Sequence, residues 1–169
     1  MAAAVIDQPD GATLVAFERQ ARQQGSGIEA LGLEGTWMLQ CVWSKGSLRP
    51  SPFSNWGLRG LRARLQIDRT TSHSLQITNA VTLGPVELRF RGEGNLAGRR
   101  PLLIFGFNSM ELTAWGQTLL QRQLPSPAPR RQPFFALIRR DASGWLAARG
   151  RGGGLALWAL RDQEPQCQG

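Results

Sequence analysis

The sequence predicts a mainly β protein, an antiparallel barrel of about eight strands preceded by one helix. Three observations predict it. From residue 33 onward the apolar residues recur with period two, the repeat of a strand with one face turned inward. Turn-forming intervals, Gly84-Pro85, Gly92–Gly98, Asp141–Gly144 and Gly150–Gly154, divide that region at roughly the 8–12-residue spacing of sandwiches and barrels. No second helical segment is long enough for a βαβ crossover, so neighbouring strands should run antiparallel.

The helix is read at residues 12–24, ATLVAFERQARQQ. Leu14, Phe17 and Ala21 recur at helical spacing, Asp10 or Thr13 can cap the start, and Gly25 and Gly27 stop it. Glu18 precedes Arg19 and Arg22, the order the helix dipole favours. Its apolar stripe is narrow, which predicts packing on the outside or across one end of a larger body.

Thr36–Trp43 reads as a largely buried strand. In LRARLQID, Leu61, Ala63, Leu65 and Ile67 face inward while the intervening residues face out. VELRFRGE repeats the pattern, with Val86, Leu88 and Phe90 inward and Glu87, Arg89 and Arg91 outward. SLQITNAV, LLIFGFNS, MELTAW, PFFALIRR, GWLAARG and LALWALR supply the remaining strands, the last with Leu155 and Leu157 inward. The proline-rich segment 125–133 predicts an extended, exposed connection. The three strands after it are too few for a core of their own, so they return to the same sheet. The expected organisation is a lead-in and helix at 1–30 packing on the barrel, one barrel domain at 31–161, and a flexible tail at 162–169.

The composition suits this plan. A chain of 169 residues, 41% apolar and 19% charged, has the make-up of one globular domain. The run Leu102–Phe107 is far shorter than a membrane span. The N-terminus shows neither a basic region before an apolar stretch nor an Arg- and Ser-rich transit peptide, so a cytoplasmic protein is expected. Net charge is +8, carried almost wholly by arginine since Lys45 is the only lysine. Such an excess favours anionic surfaces, either nucleic acid or acidic lipid headgroups.

Most catalytic chemistry lacks its side chains here. His73 is the only histidine, and neither Cys41 nor Cys167 has a metal-binding spacing, so no metal and no cofactor is expected. No Gly-x-Ser-x-Gly elbow accompanies a nucleophile. Asp68, Glu87 and Glu93 fall on outward faces, whereas Glu111 lies in an apolar stretch and could point inward, where a carboxylate would be paired or functional. Gly92-Glu-Gly94-Asn-Leu-Ala97 loosely matches a dinucleotide loop, but another strand follows it instead of the helix that receives pyrophosphate. RGRGGG at 149–154 resembles an RNA-binding segment, yet it joins two good strands as a hairpin would. These readings favour a binding protein over an enzyme.

Gly35-Thr36-Trp37 opens the first strand after a helix-and-glycine lead-in. In lipocalin-like barrels a Gly-x-Trp here lays its indole across the closed end, where an arginine from or just beyond the last strand packs on the ring. Arg161 directly follows LALWAL, so Gly35, Trp37 and Arg161 are the expected barrel-closing motif.

The chain resembles the plastid lipid-associated proteins, or fibrillins, of plastids and cyanobacteria. LEGTWMLQCVWS (33–44) resembles their opening strand, LGPVELRFRGEGNLAG their central strands, and GWLAARGRGGGLALWALR their closing pair. The resemblance implies a lipocalin-like barrel that binds a lipid, carotenoid or prenylquinone and associates peripherally with thylakoid membranes or lipid globules. The candidate lining is Leu65, Leu88, Phe90, Phe105, Phe107, Glu111 and Leu157. Two alternatives remain: a bilin lyase-like lipocalin acting on phycobiliproteins, with Glu111 as its internal acid, and a basic barrel binding single-stranded nucleic acid through exposed tryptophans.

Overall fold

A computed structural model describes residues 8–51 and 62–161. The elements are α1 (Gly11–Gln24), α2 (Ala30–Leu33), β1 (Gly35–Trp43), β2 (Arg62–Arg69), β3 (Ser74–Leu83), β4 (Val86–Ala97), β5 (Leu102–Ala114), β6 (Gln117–Gln123), a 3-10 turn (Pro129–Arg131), β7 (Phe134–Arg140), β8 (Trp145–Gly150) and β9 (Leu155–Leu160). Leu61 and the tail 162–169 lie outside the described residues.

Every strand pairing is antiparallel, and the pairings of β1 with β9, β4 with β5 and β5 with β7 close eight strands into a ring. β6 stands outside that ring. β5 makes this possible because it is longer than the wall it belongs to. Leu102–Ile104 pair with β7, whereas Ser109–Ala114 pair with β6. The far half of β5, with β6 and the matching ends of β3 and β4, therefore continues past the ring as a wing.

Three sequence expectations change here. LLIFGFNS and MELTAW form one strand, β5, whose register against β4 slips at Asn108. The interval Gly92–Gly98 is not a turn, since β4 runs through to Ala97. Gly92 and Gly94 are inner-wall glycines, where β5 comes too close for a side chain. A Cβ on Gly92 would lie 1.8 Å from the carbonyl oxygen of Gly106. Finally, QTLLQRQ forms β6 although it shows no apolar alternation, and all seven of its residues are exposed.

The barrel has apolar residues on both faces of one wall. Inside, Trp37, Leu65, Ile67, Leu75, Ile77, Leu103, Phe105, Leu137, Leu146 and Trp158 pack together. Outside, Leu14 of α1 covers Trp43, Ile138, Trp145, Ala147, Leu155 and Leu157. Leu155 and Leu157 are thus outer-face residues, contrary to expectation. Every residue of LALWAL is apolar, so period two leaves two registers open, and the strand turns its large Trp158 inward. Val86 is also not interior. It continues the inward row of Leu88 and Phe90 onto the wing, where it is 36% exposed.

α1 begins and ends as its sequence dictates. The Asp10 carboxylate accepts from the Thr13 amide at 2.8 Å, and Gly25, at φ 83°, donates its amide to Ala21 O. Its inward carboxylate, Glu18, is 3% exposed and ties the helix to the barrel. Arg149 donates from Nε and Nη2 at 2.7 and 2.5 Å, while Arg100 and Arg22 donate at 2.9 and 3.1 Å. Burial raises the Glu18 pKa, but the hydrogen bonds and charge of Arg149, with those of Arg22, outweigh it and hold it at about 2.

Candidate ligand-binding site

One end of the barrel is closed. α2 lies across it, placing Ala30 and Leu33 in the inner core. Trp37 is fully buried and donates from Nε1 to the Leu33 carbonyl at 2.8 Å. The cation over this indole is Arg140, whose guanidinium carbon is 5.5 Å from the ring centroid. Its Nε donates to Gly32 O at 3.1 Å and its Nη1 to Asp141 O at 2.7 Å. Arg161 does not take the place expected of it. Trp37 stands opposite Leu160 in the β1–β9 ladder, and Arg161, one residue beyond that ladder, is exposed. Gly35 has φ 132°, and a Cβ there would meet the Leu160 side chain at 2.7 Å, so glycine is required at the start of β1.

A bulge explains Arg140. Along PFFALIRR, simple alternation from Leu137 would turn Arg140 outward. The β7–β8 register slips between Leu137 and Arg139, so Ile138 lies in the outer cluster and Arg140 opposes the inner-core Leu146. The same slip carries Arg139 outward, over the Phe17 ring of α1 at 4.4 Å.

Away from the closed end the wall becomes aromatic and half-buried. Phe90 meets Phe107 at 5.5 Å between centroids, Phe107 meets Phe105 at 5.5 Å, Phe105 stacks on Phe135 at 5.2 Å, and Phe135 meets Trp158 edge-on at 5.2 Å. Phe90, Phe107 and Phe135 keep partial solvent access, as do Leu39 and Leu88. Asn79 stands within this row. It continues the inward series Leu75, Ile77 along β3 and lies between Leu65 and Phe90 in the ladder. Among the described residues, no group hydrogen-bonds its half-buried amide.

Five of the predicted lining residues, Leu65, Leu88, Phe90, Phe105 and Phe107, lie on the inner face. Leu157 lies on the outer face beneath α1. Glu111 also points outward. It pairs with Arg89 across the β4–β5 ladder, while its neighbour Met110 shares the inner face with Phe90. Its carboxylate lies 3.9 Å from the Arg89 guanidinium. The register slip at Asn108, invisible to periodicity, decides this orientation. Asn79 and Phe135 were missed as lining residues, although Leu75-x-Ile77-x-Asn79 carries the period-two signal that would have placed the asparagine.

The outer face of β2, β3 and β4 holds an open polar groove of about 490 Å³ lined by Arg64, Gln66, Asp68, Gln76, Arg89 and Arg91 among others. Glu87 accepts from Arg64 at 2.6 Å and also from Arg89, so two of the groove's three arginines share one carboxylate. No aromatic residue lines it. Trp37, Trp43, Trp145 and Trp158 are buried, and Trp115 is the one exposed tryptophan among the described residues. His73 is exposed, and no group of metal-ligating side chains occurs among the described residues. Burial pushes the Cys41 thiol pKa up, away from thiolate character.

No family model matches the chain, and no curated protein matches it. Among solved structures it is similar to a redesigned β barrel at 14% identity, over 78% of this chain and 93% of that one, with a TM-score of 0.35. A second redesigned β barrel, mFAP1 bound to DFHBI, matches at 12% identity over 78% of this chain and 97% of that one, with a TM-score of 0.33.

Proposed function

We propose that the barrel binds one hydrophobic small molecule carrying a polar group, held against the aromatic wall with the polar group on Asn79. The observation that carries this reading is the Asn79 side-chain amide, half-buried and without a hydrogen-bond partner among the described residues, on an inner face of phenylalanine and leucine. A half-buried amide set among apolar side chains leaves its donors and acceptor available to a polar group on a ligand. Apolar walls with a few placed polar groups are the usual make-up of ligand pockets, and an eight-stranded barrel is wide enough for one small ligand. The closed end gives the site a floor, so the ligand enters from the wing side. A lipid, carotenoid or prenylquinone fits this chemistry, and the resemblance to the plastid lipid-associated proteins points to the same class. Peripheral residence at a photosynthetic membrane or lipid globule goes with it.

Nothing favours the two alternatives equally. The outward, arginine-facing Glu111 offers no acid inside the barrel for bilin chemistry. Four tryptophans are buried instead of being offered for base stacking. The test is titration with cis-parinaric acid, read by its fluorescence and by energy transfer from the protein's tryptophans. Saturable binding is expected, weakened about tenfold by Asn79→Leu, with a smaller loss for an apolar polyene lacking the carboxyl group. Failure of the wild-type barrel to bind either probe would sink the reading.

A further inference from the structure

The wing ends in two adjacent hairpin turns, Gly84-Pro85 and Trp115-Gly116, joined by a hydrogen bond from the Trp115 amide to Pro85 O at 3.0 Å. Trp115 is 80% exposed and is the only non-glycine residue at positive φ among the described residues, at 49°. With Gly116 at 77° it makes a two-residue turn left-handed at both positions, a place suited to Asn-Gly. Tryptophan there is conformationally disfavoured, and at 80% exposure it buries little surface to offset the strain. Strain kept at an exposed position points to a role outside the fold. Around it Leu83, Val86, Leu119 and Leu120 are also exposed. This apolar patch is one that monomeric proteins usually keep covered.

We propose that the wing tip is a membrane-docking surface that seats Trp115 at the interface of an anionic lipid bilayer. Tryptophan prefers that interface, where its ring sits among the headgroups. The charges flanking the tip fit an anionic partner. Arg62, opposite Thr82 on β3, and Arg122, opposite Met110 on β5, are exposed and have no carboxylate partner among the described residues. The nearby carboxylates, Glu87 and Glu111, already face Arg64 and Arg89. The described turns and connections on the wing side of the barrel, residues 44–51, 84–85, 115–116, 124–133 and 150–154, contain Lys45, Arg49, Arg130, Arg131 and Arg151 and no Asp or Glu. Each cation near an anionic surface adds attraction that salt screens. The inner face of the wing runs from Val86 through Leu88 to Phe90, so a docked tip joins the bilayer to the barrel wall by an apolar path. That last step rests on the hydrophobic-ligand reading.

The experiment is flotation of the full chain with vesicles of pure phosphatidylcholine or of phosphatidylcholine with phosphatidylglycerol. Recovery with the anionic vesicles should exceed that with neutral ones at least tenfold, and should fall with added salt. Trp115→Asn, which suits the turn, and Leu83→Ser should each lower it about tenfold. Equal recovery of wild type and Trp115→Asn, equal recovery on both vesicles, or no recovery on either overturns the proposal. So does a concentration-dependent dimer in light scattering that Trp115→Asn dissolves while vesicle binding is absent, which would assign the tip to a second copy. Binding of cis-parinaric acid without vesicles should be unchanged in Trp115→Asn. Its retention when vesicle binding fails removes only the docking surface, whereas its absence in wild type removes the ligand reading.

Discussion

The guanidinium of Arg140 lies over the indole of Trp37, 5.5 Å from the ring centroid, and binds the carbonyls of Gly32 and Asp141 at the closed end. One side chain thus connects the last turn of β7, the plug α2 and the first strand. Arg140→Leu should lower unfolding free energy by about 2 kcal/mol, from the lost cation–π contact and two unpaired carbonyls. Trp37→Ala should cost about 3–5 kcal/mol. Arg161→Ala should stay within about 0.5 kcal/mol of wild type. Urea denaturation decides between them, and a larger loss at Arg161 than at Arg140 would refute this account of the closed end.

Glu18 makes stability depend on acid pH. Its folded-state pKa, about 2, lies below the ordinary glutamate value of 4.5. A carboxylate with a depressed folded pKa contributes stability that is present above the unfolded value and lost as pH falls through the folded one. The melting temperature should therefore fall between about pH 5 and pH 2, and Glu18→Gln should flatten that part of the curve. At pH 7 the same substitution should cost about 3 kcal/mol, since it leaves Arg149 and Arg100 without their partner. An unchanged pH profile in the variant would show that the pairing of Glu18 with its arginines does not hold α1 down.

Gly92→Ala tests the contact between β4 and β5. The added methyl would overlap the Gly106 carbonyl, which is backbone and cannot rotate away. A loss of at least about 2–3 kcal/mol is expected in thermal or chemical melts. Gly116→Ala has no neighbour within 4 Å and φ 77°, so it should carry only the smaller left-handed strain. Equal losses at the two sites would mean that β4 and β5 can separate to admit a side chain.

Asn79→Leu separates binding from folding. Removing an inward amide that has no hydrogen-bond partner among the described residues should leave the ligand-free barrel as stable as wild type or more stable by about 1 kcal/mol. A marked destabilisation in calorimetry would show that Asn79 serves the fold and not a ligand.

The sequence by itself determined the local structure. Asp10 and Gly25 bound one helix, alternation in LRARLQID and VELRFRGE fixes which residues face inward, and the absence of crossover helices requires an antiparallel sheet. These are properties of neighbours along the chain, and period two or 3.6 reports them directly. Only the tertiary structure decided the rest. Leu157 faces α1 because Trp158 takes the interior, Glu111 faces out after the slip at Asn108, and Arg140 replaces Arg161 over Trp37 after the slip at Ile138. β6 exists because β5 outlasts the ring and offers it a free edge, not because QTLLQRQ favours a strand. A one-residue bulge reverses every side chain beyond it, and its cause is the fit between distant strands. That is why the barrel could be read from the sequence while the residue closing it, and the asparagine within it, could not be assigned until the strands were paired.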